Sequence, residues 1–351
     1  MENLKAIAAD LLQWYTINKR TLPWRENNAP YSVWLSEIIL QQTRINQGLS
    51  YYLRFLEKYP TITHFANASE DDILKLWQGL GYYSRARNMH HTAQNIVNQH
   101  HENFPKNYSE LLKFKGVGEY TAAAIASISF NLPHAVVDGN VYRVLSRLFA
   151  ISTPIDTTEG KKTFKELANQ LIDKDYPGDY NQAIMEFGAL QCTPRNPDCD
   201  SCPFRNRCVA RQTNLVDQFP VKVGKQKIKH RYFNYLLIDA GQKTFLNKRT
   251  KSDIWKNLYE FPVIETDHKA EVTELEEGLL KFFSNLDFEI NGISPWHKQV
   301  LSHQHIHYRF IHIRTCYKKN MLSSLIKVNK KDIFNFAVPK PIERELERLN
   351  W

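Results

Sequence analysis

Leu111-Leu-Lys-Phe-Lys-Gly-Val-Gly-Glu-Tyr-Thr-Ala-Ala-Ala-Ile-Ala126 sets two helical stretches on either side of a Gly116-x-Gly118 turn. The alanine-rich second half is a strong helix former. Glycine at both turn positions lets the backbone come close to a phosphate. The helix that follows offers unpaired N–H groups and the positive end of its dipole to an anion. Gly116, Val117 and Gly118 are therefore candidate nucleic-acid backbone residues, with Lys113 and Lys115 adding charge. Taken alone, the same residues also read as a simple turn between two helices.

Working outward, Asp138 lies downstream in Leu132-Pro-His-Ala-Val-Val-Asp-Gly-Asn-Val141. It precedes a predicted helix over 141–149 and can be that helix's N-cap or a reactive carboxylate. Upstream, Glu37 sits in a predicted helix among Val33, Trp34, Leu35, Ile38, Ile39 and Leu40. A carboxyl crowded in this way is pushed toward its protonated form. From residue 1 to about 215, apolar residues recur at helical spacing, as in Ile73, Leu76, Trp77 and Leu80. Proline-bearing turns such as Tyr59-Pro60 and Tyr176-Pro177-Gly178 divide the stretch into about ten short helices.

Cys192, Cys199, Cys202 and Cys208 form C-x6-C-x2-C-x5-C. Four thiolates this close in a reduced protein need a metal centre. Zinc sites usually pair two separate C-x2-C elements, whereas one compact loop suits a cubane cluster, so a [4Fe-4S] cluster is favoured and zinc is the alternative. Arg195, Arg205, Arg207 and Arg211 can meet phosphates or balance the cluster's charge. The fifth cysteine, Cys316, reads as a packed residue in a predicted strand.

The chain has 351 residues, more than the roughly 250–300 at which a single core stops growing, so two domains are expected. With 42% hydrophobic and 24% charged residues, wholesale disorder is excluded. Lys plus Arg is 46 against 37 Asp plus Glu, a net +9 that favours nucleic acid without requiring it. No run approaches the ~18 apolar residues of a membrane span, and Met1–Tyr15 has neither a secretory nor a transit-peptide pattern. The setting reads as intracellular and reducing. Residues 216–229 are Lys-rich and lack periodicity, as in a linker that lies along phosphates or is simply solvated. From 230 the chain turns toward strands, at Tyr232–Asp239 and Ile306–Arg314, with possible helices over 272–283 and 342–349. The second domain is therefore α+β. His303, His305 and His307 share one strand face with His312 nearby, which reads as DNA contact or surface before metal.

The hairpin, the acid and the cysteine loop together resemble the helix–hairpin–helix DNA glycosylases of the endonuclease III and adenine glycosylase branch. Leu22-Pro-Trp-Arg, Leu35-Ser-Glu-Ile-Ile-Leu-Gln-Gln-Thr, Trp77-x-Gly-Leu-Gly-Tyr-Tyr-Ser-Arg-Ala-Arg-Asn and Val137-Asp-Gly-Asn-Val-x-Arg-Val resemble the adenine DNA glycosylase (MutY) family. The endonuclease III-like alternative, a glycosylase and lyase for oxidised pyrimidines, carries a Schiff-base lysine where this chain has Tyr120, so imine formation is not expected.

The resemblance implies an all-α catalytic domain over 1–215, with a six-helix subdomain at about 22–131 and a cluster subdomain from 1–21 and 132–215. A 216–229 linker and a Nudix-like domain over 230–351 follow. It implies a monofunctional enzyme that excises adenine opposite 8-oxoguanine or guanine in double-stranded DNA. The base is flipped out of the duplex to be reached. Glu37 would protonate adenine N7, and ionised Asp138 would stabilise the oxocarbenium ion or act as a transient nucleophile. Tyr120 and Asn140 would support them.

Arg20, Leu22, Trp24, Arg25 and Gln182 match the family's adenine pocket. Gln42 and Tyr82 match its wedges, although Trp24 and Tyr82 also read as core aromatics. Trp255-Lys-Asn-Leu-Tyr-Glu-Phe-Pro matches a segment of the Nudix-like domain, whose Phe-Ser-His element becomes Leu301-Ser302-His303 here. These three would contact the oxidised base, with an aliphatic wedge in place of an aromatic one. Glu274-Leu-Glu-Glu-Gly lacks the full hydrolase carboxylate run, which argues against a nucleotide hydrolase. A non-catalytic damage binder or iron–sulfur sensor is opposed by the intact Glu37 and Asp138. A cytoplasmic, nucleoid-associated bacterial monomer completes the expectation.

Overall fold

The computed structural model describes residues 2–224, 228–283, 288–315, 325–349 and 351. Cys316 and part of the expected linker, 225–227, lie outside the described residues. The chain divides into two compact units, 1–67 with 88–224, and 68–87 with 225–351. Residues 68–87 thus cluster with the C-terminal part of the chain and not with the helical stretch in which the sequence placed them.

Among the described residues, twelve α-helices lie between Glu2 and Gln212, somewhat more than the spacing predicted. In the first unit, five of them position the site: Glu2–Asn18, Pro30–Leu40, Glu119–Phe130, Gly139–Phe149 and Pro177–Leu190. Pro30 and Pro177 open their helices at positions where a missing N–H costs nothing. Ala122–Ala126 is fully buried, and its small side chains let neighbouring helices approach closely. Helix Pro177–Leu190 uses glycine where it crosses its neighbours. A Cβ on Gly178 would lie 2.9 Å from the Ser127 carbonyl oxygen, and one on Gly188 would lie 2.6 Å from Asn140 Cβ. Leu11, Val141, Leu145, Phe164, Tyr180 and Phe187 join these helices in one core.

Helix Glu119–Phe130 ends at Asn131, whose φ of 54° is the left-handed stop that asparagine tolerates. The following loop is held by the fully buried Asn181. Its amide accepts from the Val136 N–H at 3.1 Å and donates to Ser127 Oγ and the His134 carbonyl, both at 2.8 Å. The stretch read as a linker is not free over its first half. Val221 O accepts from the Ile155 N–H, and Asp156 accepts from the Val223 and Gly224 N–H groups. Its last residue, Lys229, already belongs to a strand.

In the second unit, strand Lys229–Asp239 pairs in parallel with Gln304–Thr315. Strands Val263–Thr266, Phe288–Ile293 and His297–Val300 add antiparallel neighbours to this five-stranded sheet. Period-two alternation feeds two cores. Phe233, Tyr235 and Leu237 pack with Ile342 and Leu346 of helix Lys340–Leu349. Leu236 and Ile238 pack with Leu279 and Phe283 of helix Glu276–Phe283. The sheet is therefore covered by helices on both faces, as its continuous apolar strand predicts. Segment 68–87 belongs to this unit through Asn257 to Glu70, Tyr259 to Asp71 and Arg87 to the Lys256 carbonyl. No described helix is long and apolar enough to cross a membrane.

Replacing Asn181 with Ala removes a partner from Ser127 Oγ, the His134 carbonyl and the Val136 N–H. Each buried group left unsatisfied costs about 1–3 kcal/mol. Urea denaturation followed by far-ultraviolet circular dichroism should show a midpoint clearly below that of the unaltered chain.

Candidate active site and cluster loop

Glu37, Tyr120, Asp138 and Asn140 meet in a single cleft of about 510 Å³. Glu37 lies in the buried stretch of helix Pro30–Leu40, and its Oε2 accepts from the Tyr120 hydroxyl at 2.5 Å. Burial pushes the Glu37 carboxyl up to about 7, helped by Asp138 and opposed by the Tyr120 bond and Arg25. Tyr120 starts helix Glu119–Phe130 and rests its hydroxyl on Met185 Sδ at 3.2 Å. Burial, then Glu37 and Asp138, hold its phenol well above the usual range.

Asp138 is an N-cap and a cleft residue at once. It accepts from the Val141 N–H at 2.8 Å and from Asn140 Nδ2 at 2.9 Å. Sequence reasoning expected a plainly ionised carboxylate. Burial instead raises its pKa, while the Val141 N–H, Asn140 and Arg143 work against the rise. Glu37 has the Tyr120 hydroxyl, whereas Asp138 has a helix N-terminus and an amide. The two carboxyls therefore sit in different environments, and Asp138 is the better provided for a negative charge.

The cleft also takes in Arg20, Leu22, Trp24, Arg25 and Gln42. Trp24 is buried and packs edge-on against Tyr52. Gln182 does not line the cleft; its amide oxygen accepts from the Tyr15 hydroxyl at 3.4 Å. Sequence reasoning missed Glu186. Arg20 clamps it through Nε at 2.7 Å and Nη2 at 2.6 Å, and Arg25 adds bonds at 3.2 and 3.0 Å. Burial works to raise the Glu186 carboxyl, but the two guanidiniums outweigh it and pull it down to about 2. The two arginines are thus fixed beside the cleft by a carboxylate. The available signal was a lone acid in the apolar run Ala183-Ile-Met-Glu-Phe, one helical turn after Gln182.

At the hairpin, Gly116 has φ +82°, and a Cβ there would lie 2.7 Å from Asn88 Cβ, so glycine is required. Gly118 has φ −89° in an extended backbone that any residue adopts, and it caps helix Glu119–Phe130. The two expected wedges share one property. Gln42 and Tyr82 have φ of 59° and 46°, a left-handed backbone that costs energy for a side-chain-bearing residue. Tyr82 is 46% exposed. In the second unit it lines a cleft of about 490 Å³ with Trp255, Leu301, Ser302 and His303. Ser302 and His303 form the turn between strands His297–Val300 and Gln304–Thr315.

Cys192, Cys199, Cys202 and Cys208 line one small cavity with Val144, Leu148, Phe187 and Phe204. Burial raises the Cys202 thiol to about 12, and the other three sulfurs add to the rise. Four thiols sharing one cavity, with Arg147, Arg205 and Arg211 also lining it, fit a cluster, whose formation would replace their protons. Among the described residues, no set of three or more His, Cys, Asp or Glu converges on a single-ion site.

Helix Gly139–Phe149 connects this loop to the catalytic cleft. Arg143 donates to Asn140 Oδ1 at 2.8 Å, to the Gly188 carbonyl at 2.6 Å and to the Cys192 carbonyl at 2.8 Å. One turn on, Arg147 donates to Cys192 Sγ at 3.4 Å and to the Thr193 carbonyl at 2.7 Å. Of the loop arginines, Arg207 pairs with Asp10 and Arg211 with Asp200.

Three family descriptions match this chain. Residues 35–170 match the HhH-GPD superfamily base excision DNA repair protein, 192–208 the iron–sulfur binding domain of endonuclease III, and 234–348 the NUDIX domain. The match of residues 192–208 to an iron–sulfur binding domain is what favours a cluster over one zinc ion. An adenine DNA glycosylase of Buchnera aphidicola (subspecies Schizaphis graminum) is 33% identical over 341 residues, covering 96% of each chain. A thermostable thymine-DNA glycosylase structure superposes with a TM-score of 0.56 at 28% identity, over 60% of this chain and 98% of that one. A non-covalent endonuclease III–DNA complex shares the fold, with a TM-score of 0.52 at 21% identity over 61% of this chain and 97% of that one.

Glu37 holds its proton to about pH 7 in the folded protein but only to about 4.5 when ordinarily solvated, as in the unfolded chain. The native protein therefore loses stability as pH rises between these values. Glu37→Gln removes this penalty. Denaturation at pH 8 should show the variant more stable by up to about 3 kcal/mol, and the gain should vanish near pH 4.

Proposed function

The chain belongs to the adenine DNA glycosylases, and from this we propose that it hydrolyses the N-glycosidic bond of adenine standing opposite 8-oxoguanine or guanine in duplex DNA. The observation that carries the reading is the Glu37–Tyr120–Asp138 group in one cleft, with Glu37 titrating near neutrality. Adenine is flipped out of the stack into this cleft. Glu37 gives its proton to N7, so the base leaves neutral as the bond to C1′ breaks. Asp138 faces the oxocarbenium ion as a carboxylate, and a water adds to C1′. Asn140 and Arg143 hold Asp138 in place. The guanidiniums of Arg20 and Arg25, fixed by Glu186, present a rigid wall to the base.

Tyr120 stands where a lyase needs an amine, so the product is an intact abasic strand. This favours a monofunctional glycosylase over an endonuclease III-like lyase. The iron–sulfur cluster, when bound, supplies a rigid core for the loop 192–208, whose own residues hold Arg143 and Arg147. Gln42 and Tyr82 enter the stack at the lesion, and Leu301, Ser302 and His303 read the oxidised base. The domains are a catalytic one within 1–215 and a recognition one over 230–351, the latter clustering with residues 68–87. In the latter, Glu274 bonds His268 and the Glu271 N–H, a use that favours base recognition over pyrophosphate hydrolysis. The chain acts as a monomer in a bacterial cytoplasm, at the nucleoid.

Duplexes with adenine opposite 8-oxoguanine, quenched with and without hot alkali, test the reading. Breaks only after alkali are expected; breaks without alkali identify a lyase, and uncut DNA in both arms defeats the proposal. Single-turnover rates should fall as pH rises above about 7, where Glu37 loses its proton. Glu37→Gln should slow excision by at least about a hundredfold.

A further inference from the structure

The sheet face of the second unit that carries Leu236, Ile238, Ile311 and Ile313 is apolar where helix Glu276–Phe283 covers it. Toward the start of the same strands it changes character. In register on this face lie His230 beside His305, and Tyr232 beside His307. Across the hairpin, Val300 stands opposite His305 and Lys298 opposite His307. Asn234 and Arg309 mark the changeover, with Arg309 Nε donating to Asn234 Oδ1 at 2.7 Å. The three imidazoles are one cluster. His230 Nδ1 and His307 Nε2 are 3.1 Å apart, and the His230 and His305 rings meet edge to face at 5.1 Å. The patch runs directly into the Leu301-Ser302-His303 turn, because His305 and His307 continue the same strand.

We propose that His230, His305 and His307, with Lys298, bind backbone phosphate of the DNA strand read by this hairpin. The inference rests on the reading of the hairpin as DNA-facing. Two features favour phosphate over a stacked base. The His307 ring is spent on Tyr232, parallel to it at 4.8 Å, so the patch offers ring-edge nitrogens and not open ring faces. His305 holds a buried Nδ1 that has no hydrogen-bond partner, an unused polar atom within the patch. Ring N–H groups and an ammonium make a donor set for an anion.

The charged groups facing the cluster are cationic. Desolvation, then Lys298 and His230, hold His305 below the usual imidazole range. Desolvation, then His230, Lys269, Lys298 and His305, do the same for His307. A phosphate reverses this balance, so the patch takes up about one proton as DNA binds.

The test measures affinity of the full chain, with its cluster, for an adenine:8-oxoguanine duplex from pH 6 to 8 at fixed ionic strength. It is run in the Glu37→Gln background, which removes both turnover and the Glu37 titration. Affinity should rise as pH falls, by up to about tenfold per unit for one proton taken up. His305→Gln with His307→Gln should flatten that slope. Calorimetry in buffers of different ionisation enthalpy gives proton uptake directly, and His307→Gln alone serves if the double variant does not fold. A flat response in the parent, an unaltered slope in the variants, or equal binding of inorganic pyrophosphate in place of DNA would overturn the proposal. Loss of adenine excision by the unaltered chain would instead defeat the functional reading and leave the phosphate patch to be judged by binding alone.

Discussion

A carboxylic acid that keeps its proton near neutral pH has to be removed from water, and the first unit is arranged around that requirement. Glu37 lies in a helix buried from Ser32 to Ile39, where most of its helical neighbours are apolar. The one polar partner it is given in the cleft, the Tyr120 hydroxyl, lowers the carboxyl but does not outweigh burial. A cation placed there would have undone the shift. Arg20 and Arg25 are close by, yet their charge is directed at Glu186, which sits near 2 as a result. The cleft thus holds one carboxyl biased toward the acid and another held ionised, with both guanidiniums hydrogen-bonded to the second, although Arg25 also lowers the first.

Burial raises Asp138 as well, but here the backbone works against the rise. The N-terminus of helix Gly139–Phe149 supplies an N–H and a favourable dipole end. Orientation comes through Asn140 and Arg143, and Arg143 is itself tied to the Gly188 and Cys192 carbonyls. The same helix carries Arg147 to Cys192 Sγ. A loop ordered by its cluster therefore fixes two arginines, and one of them fixes Asn140, the residue that orients Asp138. The cluster loop has a structural route to the chemistry without any redox step. Gly188 is part of this arrangement, because a Cβ there would push directly on Asn140.

The chemistry is legible in the sequence wherever the residues have local signatures. The Gly116-x-Gly118 turn, the cysteine spacing, the apolar neighbourhood of Glu37 and the Val-Val-Asp-Gly-Asn stretch all carry their meaning within a couple of dozen residues. What is not legible depends on contacts between distant segments. Glu186 meets Arg20 across more than a hundred and sixty residues, and nothing near it announces a partner. The upward shift of Asp138's pKa requires knowing how deep the cleft is. The grouping of residues 68–87 with the C-terminal unit comes from contacts such as Tyr259 to Asp71, invisible to periodicity. Strand Tyr232–Asp239 and its apolar character follow from composition, but its parallel pairing with Gln304–Thr315 is a matter of topology.

The second unit is a sheet covered by two helices. Among the described residues its buried charges do not converge to hold a metal; they brace a loop. Arg231 grips Asp253 through both terminal nitrogens at 2.8 Å and also bonds Glu265. Arg249 bonds Asp253, the Ile254 carbonyl and the buried Glu260. Burial lifts Glu260 to about 7, and Arg249 opposes that rise. An ionic network of this kind adds little stability over an apolar core, because desolvating the charges offsets their attraction. What it does provide is a fixed position for residues 253–257, where Trp255 and Asn257 hold left-handed φ values of 57° and 65°. Asp253, Ile254 and Trp255 then form one wall of the cleft whose other walls are Tyr82 and the Leu301–His303 turn. The charge network thus fixes one wall of this cleft through Asp253, more firmly than apolar packing alone would.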